Sequence, residues 1–146
     1  MGLDITGALL SENVKITRLN GVQGAATSAV NGASVDMSGY RGVIFLASLG
    51  TPAADNIMKA QQSADDSSFA DLADSAVGVG ASDDSQWIDI YDPEERYVRP
   101  SIARGTSSTV EAIWAIQYDP RETPVTNVTA GTINGVALIR PAEGTA

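Results

Sequence analysis

The sequence predicts an all-β protein: a β-sandwich or jelly-roll-like barrel of about eight to ten short antiparallel strands. An N-terminal arm (residues 1–12) precedes a single β domain (13–140), and a flexible tail (141–146) follows it. Three observations carry this prediction. Short runs rich in β-branched and aromatic residues recur along the chain, each ended by Gly, Pro, Asn, Asp or Ser. The most apolar run, residues 43–49, lies between Gly42 and Gly50 and is too short for a comfortable helix. Residues 96–104 and 109–118 are two such runs joined by Gly105, Thr106, Ser107 and Ser108, the composition of a hairpin link.

Taken in order, Leu3, Ile5, Leu9 and Leu10 follow no clean period and suit either an arm docked on a neighbour or a terminal strand. Residues 14–19 alternate apolar and polar, the pattern of a half-buried strand, and Asn20-Gly21 ends it in a turn. Residues 23–31 are an Ala/Ser/Gly stretch with little signal, and 34–37 read as a short strand. Residues 43–49 form the central strand, and 51–55 a loop around Pro52. Residues 56–62 read as a strand paired with 69–73 across an exposed Asp65-Asp66 turn, although Asp71 and Asp74 could cap a helical turn instead. After a flexible loop at 78–84, residues 86–91 are a strand with Trp87, Asp89 and Tyr91 on one side and Ile88 and Ile90 on the other. The presumed hairpin follows. Its second arm is apolar on both faces: Val110, Ala112, Trp114, Ile116 and Tyr118 on one, Ile113 and Ala115 on the other. Such a strand needs cover on both sides, one from the chain's own core and one from something else. Residues 125–129 and 132–139 are the last candidate strands.

What is missing restricts function more than what is present. A chain of 146 residues can bury roughly 70% of the surface its unfolded form exposes, enough for one domain with its own core. It contains no cysteine and no histidine. Disulfides, thiolate catalysis, the usual catalytic triad and the commonest metal ligands are therefore excluded. The net charge of −9 repels a phosphate backbone, so no nucleic-acid partner is expected. No apolar run approaches the ~20 residues of a membrane span, and no signal peptide is visible, so no membrane partner is expected.

The carboxylate groups Asp65-Asp66, Asp83-Asp84 and Asp89, Asp92, Glu94, Glu95 could serve calcium or a glycosidase pair. They lack EF-hand spacing, a sugar cleft would want aromatic platforms that this chain scarcely has, and solvated turn acids account for them. No metal, cofactor or catalytic residue is assigned. Arg96, Arg99 and Arg104 share one hairpin arm, in a chain with seven Arg and two Lys. Planar guanidinium groups suit carboxylate pairing at an interface; intrachain pairing with Glu94, Glu95 or Glu111 is the alternative. Trp87 and Trp114 are read as core anchors.

Residues 34–45, 61–69, 72–75, 90–93, 96–100 and 115–121 together resemble small structural proteins encoded among the virion genes of tailed bacteriophages. The resemblance implies a β-rich capsid decoration or cement protein, non-enzymatic, without cofactor, bound to the major capsid protein and to copies of itself, with a homotrimer expected. Its place would be the capsid exterior, after synthesis in the host cytoplasm. Contacts are expected at Leu3, Ile5, Leu9, Leu10, Arg96, Arg99 and Arg104. The alternative is a head-fibre, head-tail or tail-tip component that binds host-surface glycan, suggested by exposed Asp-rich loops and by Trp87 with Tyr91.

Overall fold

The computed structural model describes residues 8–50, 55–78 and 84–146. Within them the chain is all-β and sandwich-like, and no sheet closes into a barrel. Strand β1 (Lys15–Asn20) pairs with β12 (Ile113–Pro120), β12 with β5 (Tyr40–Ser48), and β5 with β9 (Ser85–Tyr91), all antiparallel. A second sheet is built on β10 (Tyr97–Ala103) and β6 (Ile57–Ser63). On its flanks lie β3 (Val30–Asn31) and β4 (Val35–Asp36) beside β10, and β7 (Ala70–Asp71) and β8 (Val77–Gly78) beside β6. A small ribbon pairs β2 (Gln23–Ala26) with β11 (Ser108–Val110).

The core lies between the two large sheets. Val43, Phe45 and Ala47 of β5, Ile88 of β9, and Ile113 and Ala115 of β12 meet Met58 and Ala60 of β6 and Val98 and Ile102 of β10. The alternation of buried residues along β5 and β10 matches the two-residue period of a strand with one face inward. Pro100 sits inside β10 because its ladder is interrupted there. β4 pairs up to Val98 and β3 resumes at Ser101, so the missing N–H meets no strand partner. Gly32 crosses this gap, its amide donating to the Pro100 carbonyl at 2.9 Å.

The strand expected over 14–19 appears as β1, the central strand as β5, and the pairing of 56–62 with 69–73 as β6 with β7. The hairpin of 96–104 with 109–118 does not form. β10 and β12 belong to different sheets, and the expected second arm breaks at Glu111 and Ala112 into β11 and β12. The presumed link is a crossover, held by a buried polar knot. Arg104, 8% exposed, donates to the carbonyls of Ser28 (2.6 Å), Gly24 (2.8 Å) and Ser108 (2.7 Å). Asn56, 1% exposed, donates to Ser108 Oγ and accepts from the Gly105 amide. Gly105 is required here, since a Cβ would fall on the Asp55 carbonyl oxygen.

The low-signal stretch 23–31 holds β2 and β3, recruited by this knot rather than by their own pattern. Residues 125–129 and 132–139 form no strand; a lone bridge joins Thr129 to Ile133. Residues 125–127 instead lie along the edge of β1. The Val125 amide donates to the Glu12 carbonyl, and Asn127 bonds the backbone of Ser11, Val14 and Ile16.

Arg104→Met should remove four charge-assisted bonds and strand buried carbonyls, costing about 3 kcal/mol or more in thermal or denaturant unfolding. Arg104→Lys should restore little of that loss, because one ammonium cannot span the same carbonyls.

Candidate binding face

The two outer faces of the sandwich differ in chemistry. That of the β10–β6 sheet is polar and internally satisfied. Arg96 holds Asp36 through paired bonds of 2.9 and 2.8 Å, and Arg99 donates to Gln61 while lying 3.9 Å over the Phe69 ring. Lys59 and Gln61 both bond Asp71. The Arg96 pairing holds the Asp36 carboxyl well below the usual carboxylate range.

The outer face of the β1–β12–β5–β9 sheet is apolar and aromatic. Strand register sets its rows. Arg18, Trp114, Leu46 and Trp87 lie side by side across four strands; Ile16, Ile116, Ile44 and Asp89 form the next row. In a third row Tyr118 and Tyr91 flank Gly42, their rings stacked with centroids 6.2 Å apart. Gly42 carries no side chain because the Tyr118 ring occupies that position. The Tyr118 hydroxyl donates to Asp89 at 2.6 Å and that of Tyr91 to Asp119 at 2.7 Å. Burial, then the Asp89 bond, pushes the Tyr118 hydroxyl up to about 12. Arg41 lies 5.3 Å over the Tyr91 ring and pairs with Asp92.

This corrects the placement of both tryptophans. Trp87 is 63% exposed and Trp114 half-buried, and neither belongs to the core. Beside them opens a groove of about 680 Å³ lined by Leu46, Ser48, Trp87, Glu111 and Trp114 among others. The two indoles beside this groove come from positions 27 residues apart in sequence, brought together by β9 and β12. Val110, grouped with Trp114 by alternation, is fully buried, because the break at 111–112 separates their faces.

Of the expected contact residues, Leu3 and Ile5 lie outside the described residues. Leu9 is half-buried, and Leu10 is 73% exposed on a short 3₁₀ turn (Leu10–Glu12). Arg96 and Arg99 are at the surface of the polar sheet, whereas Arg104 is internal. Arg96 pairs with Asp36, and Arg99 and Arg104 bond the partners given above, rather than Glu94, Glu95 or Glu111.

Of the acidic groups, Asp65, Asp66 and Asp92 take turn positions, Asp89 lies within β9 and Asp83 lies outside the described residues; Asp66, Asp74, Asp92 and Asp119 have left-handed backbones, which Asp tolerates. Asp65 accepts from the Ser67 and Ser68 amides, and these bonds, Ser68's first, hold its carboxyl low. Among the described residues no three carboxylates converge on a metal position.

The class defined by this geometry is an all-β sandwich with one exposed aromatic face. Comparison with protein-family models and with curated proteins found no match. Among solved structures the fold is similar to that of PBSX exported protein XepA, with a TM-score of 0.54 and 20% identity. The similarity covers 90% of this chain and 45% of that one, so this chain spans less than half of that protein's length. At this identity the likeness is one of fold.

Both ends of the pH range should destabilise the protein, for opposite reasons. Asp36, Asp65 and Asp71 have lowered folded pKa values, so their contribution is present above about pH 4 and lost as pH falls below it. Tyr118 has a raised value, so its contribution is complete below about pH 10 and lost as pH rises toward 12. With no histidine or cysteine, the melting temperature should be nearly flat between about pH 5 and 9. In Tyr118→Phe the alkaline fall should shrink.

Proposed function

We propose that this protein is a non-enzymatic structural component of a tailed-phage virion: a decoration or cement protein, homotrimeric, on the capsid exterior. It binds the outer surface of the major capsid protein shell and stabilises the head. The observation that carries this reading is the broad aromatic face of the β1–β12–β5–β9 sheet, with Trp87 63% and Tyr91 52% exposed. Aromatic residues with Arg at the margin are the composition of protein interfaces, and an apolar patch of this kind marks an interaction surface. The sequence likeness to phage virion proteins over residues 34–121 supports the assignment, and the fold shared with PBSX exported protein XepA is compatible with it.

A second reading is favoured by the groove beside Trp87 and Trp114, which lie two strands apart, roughly 10 Å. Two indoles so spaced, with Glu111 and Ser48 at hand and no Lys or Arg in the lining, suit a neutral glycan bound by a head-fibre or tail component.

Trp87→Ala should leave the unfolding free energy within about 0.5 kcal/mol of the parent value. It should weaken co-sedimentation with undecorated heads at least about tenfold, as loss of an interface anchor does. Parent protein that does not bind heads, yet quenches its tryptophan fluorescence with neutral hexasaccharides, would decide for the glycan reading.

A further inference from the structure

β9 is the edge of its sheet: it pairs with β5 on one side, and among the described residues no strand pairs with it on the other. Along that edge runs a groove of about 470 Å³ lined by Asp74, Ser75, Val77, Gln86, Trp87 and Asp89 among others. Gln86 is 5% exposed, and its Oε1 has no hydrogen-bond partner. A buried acceptor without a donor is costly and points to a group that arrives from elsewhere. The groove also carries two carboxylates and no Lys or Arg.

The same chain holds a segment with the opposite character. After the Thr129–Ile133 bridge, residues 134–140 take no regular structure and lie exposed. Val136 is 81%, Leu138 60% and Ile139 44% exposed, an unusual density of bare apolar side chains. In extended form Val136 and Leu138 face one way, and Ala137 and Ile139 the other. β9 is likewise apolar on both faces, with Ile88 and Ile90 inward and Trp87 and Tyr91 outward. Seven residues match the seven of β9, and Arg140 supplies the cation that Asp74 and Asp89 lack.

We propose that residues 134–140 of one copy add as a strand to the free edge of β9 in a second copy. In the lone chain this segment is exposed, and residues 125–127 tether its base at the edge of β1, across the whole sheet from β9. Donor and acceptor surfaces therefore differ, a head-to-tail contact, which forms a ring where the rotation between copies closes and a filament where it does not. This deepens the assembly reading above and rests on it for the homotrimer.

The test is mass by light scattering, at low micromolar concentration, of the parent and of Val136→Asp/Leu138→Asp, whose changes fall on exposed side chains. The parent should be a multimer and the double variant a monomer whose far-UV circular dichroism is unchanged and whose melting is cooperative and independent of concentration. Because the chain has no cysteine, Leu138→Cys and Trp87→Cys copies can be mixed and oxidised. A disulfide between them is expected, and none when Gln61→Cys on the opposite sheet replaces Trp87→Cys. A monomeric parent, a multimer indifferent to the double substitution, or no disulfide between Leu138→Cys and Trp87→Cys copies would overturn the inference. A monomeric parent that still binds heads would sink strand addition by residues 134–140 and spare the virion reading; a multimer linked through those residues but without affinity for heads would do the reverse.

Discussion

The knot around Arg104 decides the architecture. A guanidinium buried without a carboxylate is tolerated because three backbone carbonyls and the Ser28 hydroxyl surround it. Those carbonyls belong to residues 24, 28 and 108, so one side chain gathers β2, the turn before β3, and β11. Asn56 anchors the same point to the start of β6. With 104–108 held there, the chain leaving β10 must pass to the other sheet before it can extend again. β12 then lies between β1 and β5, and Trp114 comes into line with Leu46 and Trp87.

From that placement follows the division of labour between the two outer faces. On the β10–β6 sheet nearly every polar group answers another: Arg96 with Asp36, Arg99 with Gln61, Lys59 with Asp71. Exposed pairs of this kind add little stability, and they leave that face hydrophilic and self-contained. On the other sheet indoles, phenols and isoleucines stand in rows with only peripheral charge. The phenols are ordered before any partner arrives, since Gly42 gives Tyr118 its place and Asp89 and Asp119 hold the two hydroxyls. A pre-ordered aromatic surface loses less entropy on association than flexible side chains would.

Much of the fold was legible because strand period is a local property. Residues 14–19, 43–49, 56–62 and 86–91 show themselves by alternation or apolarity, and the β6–β7 pairing by its turn of Asp and Ser. The misreadings share one cause, contacts distant in sequence. Gly105 looked like a hairpin glycine, whereas its smallness serves the approach of Asp55. Arg104 was grouped with Arg96 and Arg99 by proximity, yet only its bonds to residues 24 and 28 explain it. Residues 23–31 carry no pattern because the knot, rather than a hydrophobic period, recruits them. Trp87 and Trp114 passed for core because alternation tells which residues share a face but not which face is outside. One clue was present: β12 is apolar on both sides, which already called for a second covering surface.

Docking through the aromatic face is tested by hydroxyl-radical footprinting of the aromatic residues, free and on assembled particles. Trp87, Tyr91 and Trp114 should oxidise readily in the free protein and become protected on the particle, while the Asp65–Asp66 turn and Phe69 stay unchanged. Protection confined to that turn and the β10–β6 sheet, with Trp87 as reactive as before, would contradict it.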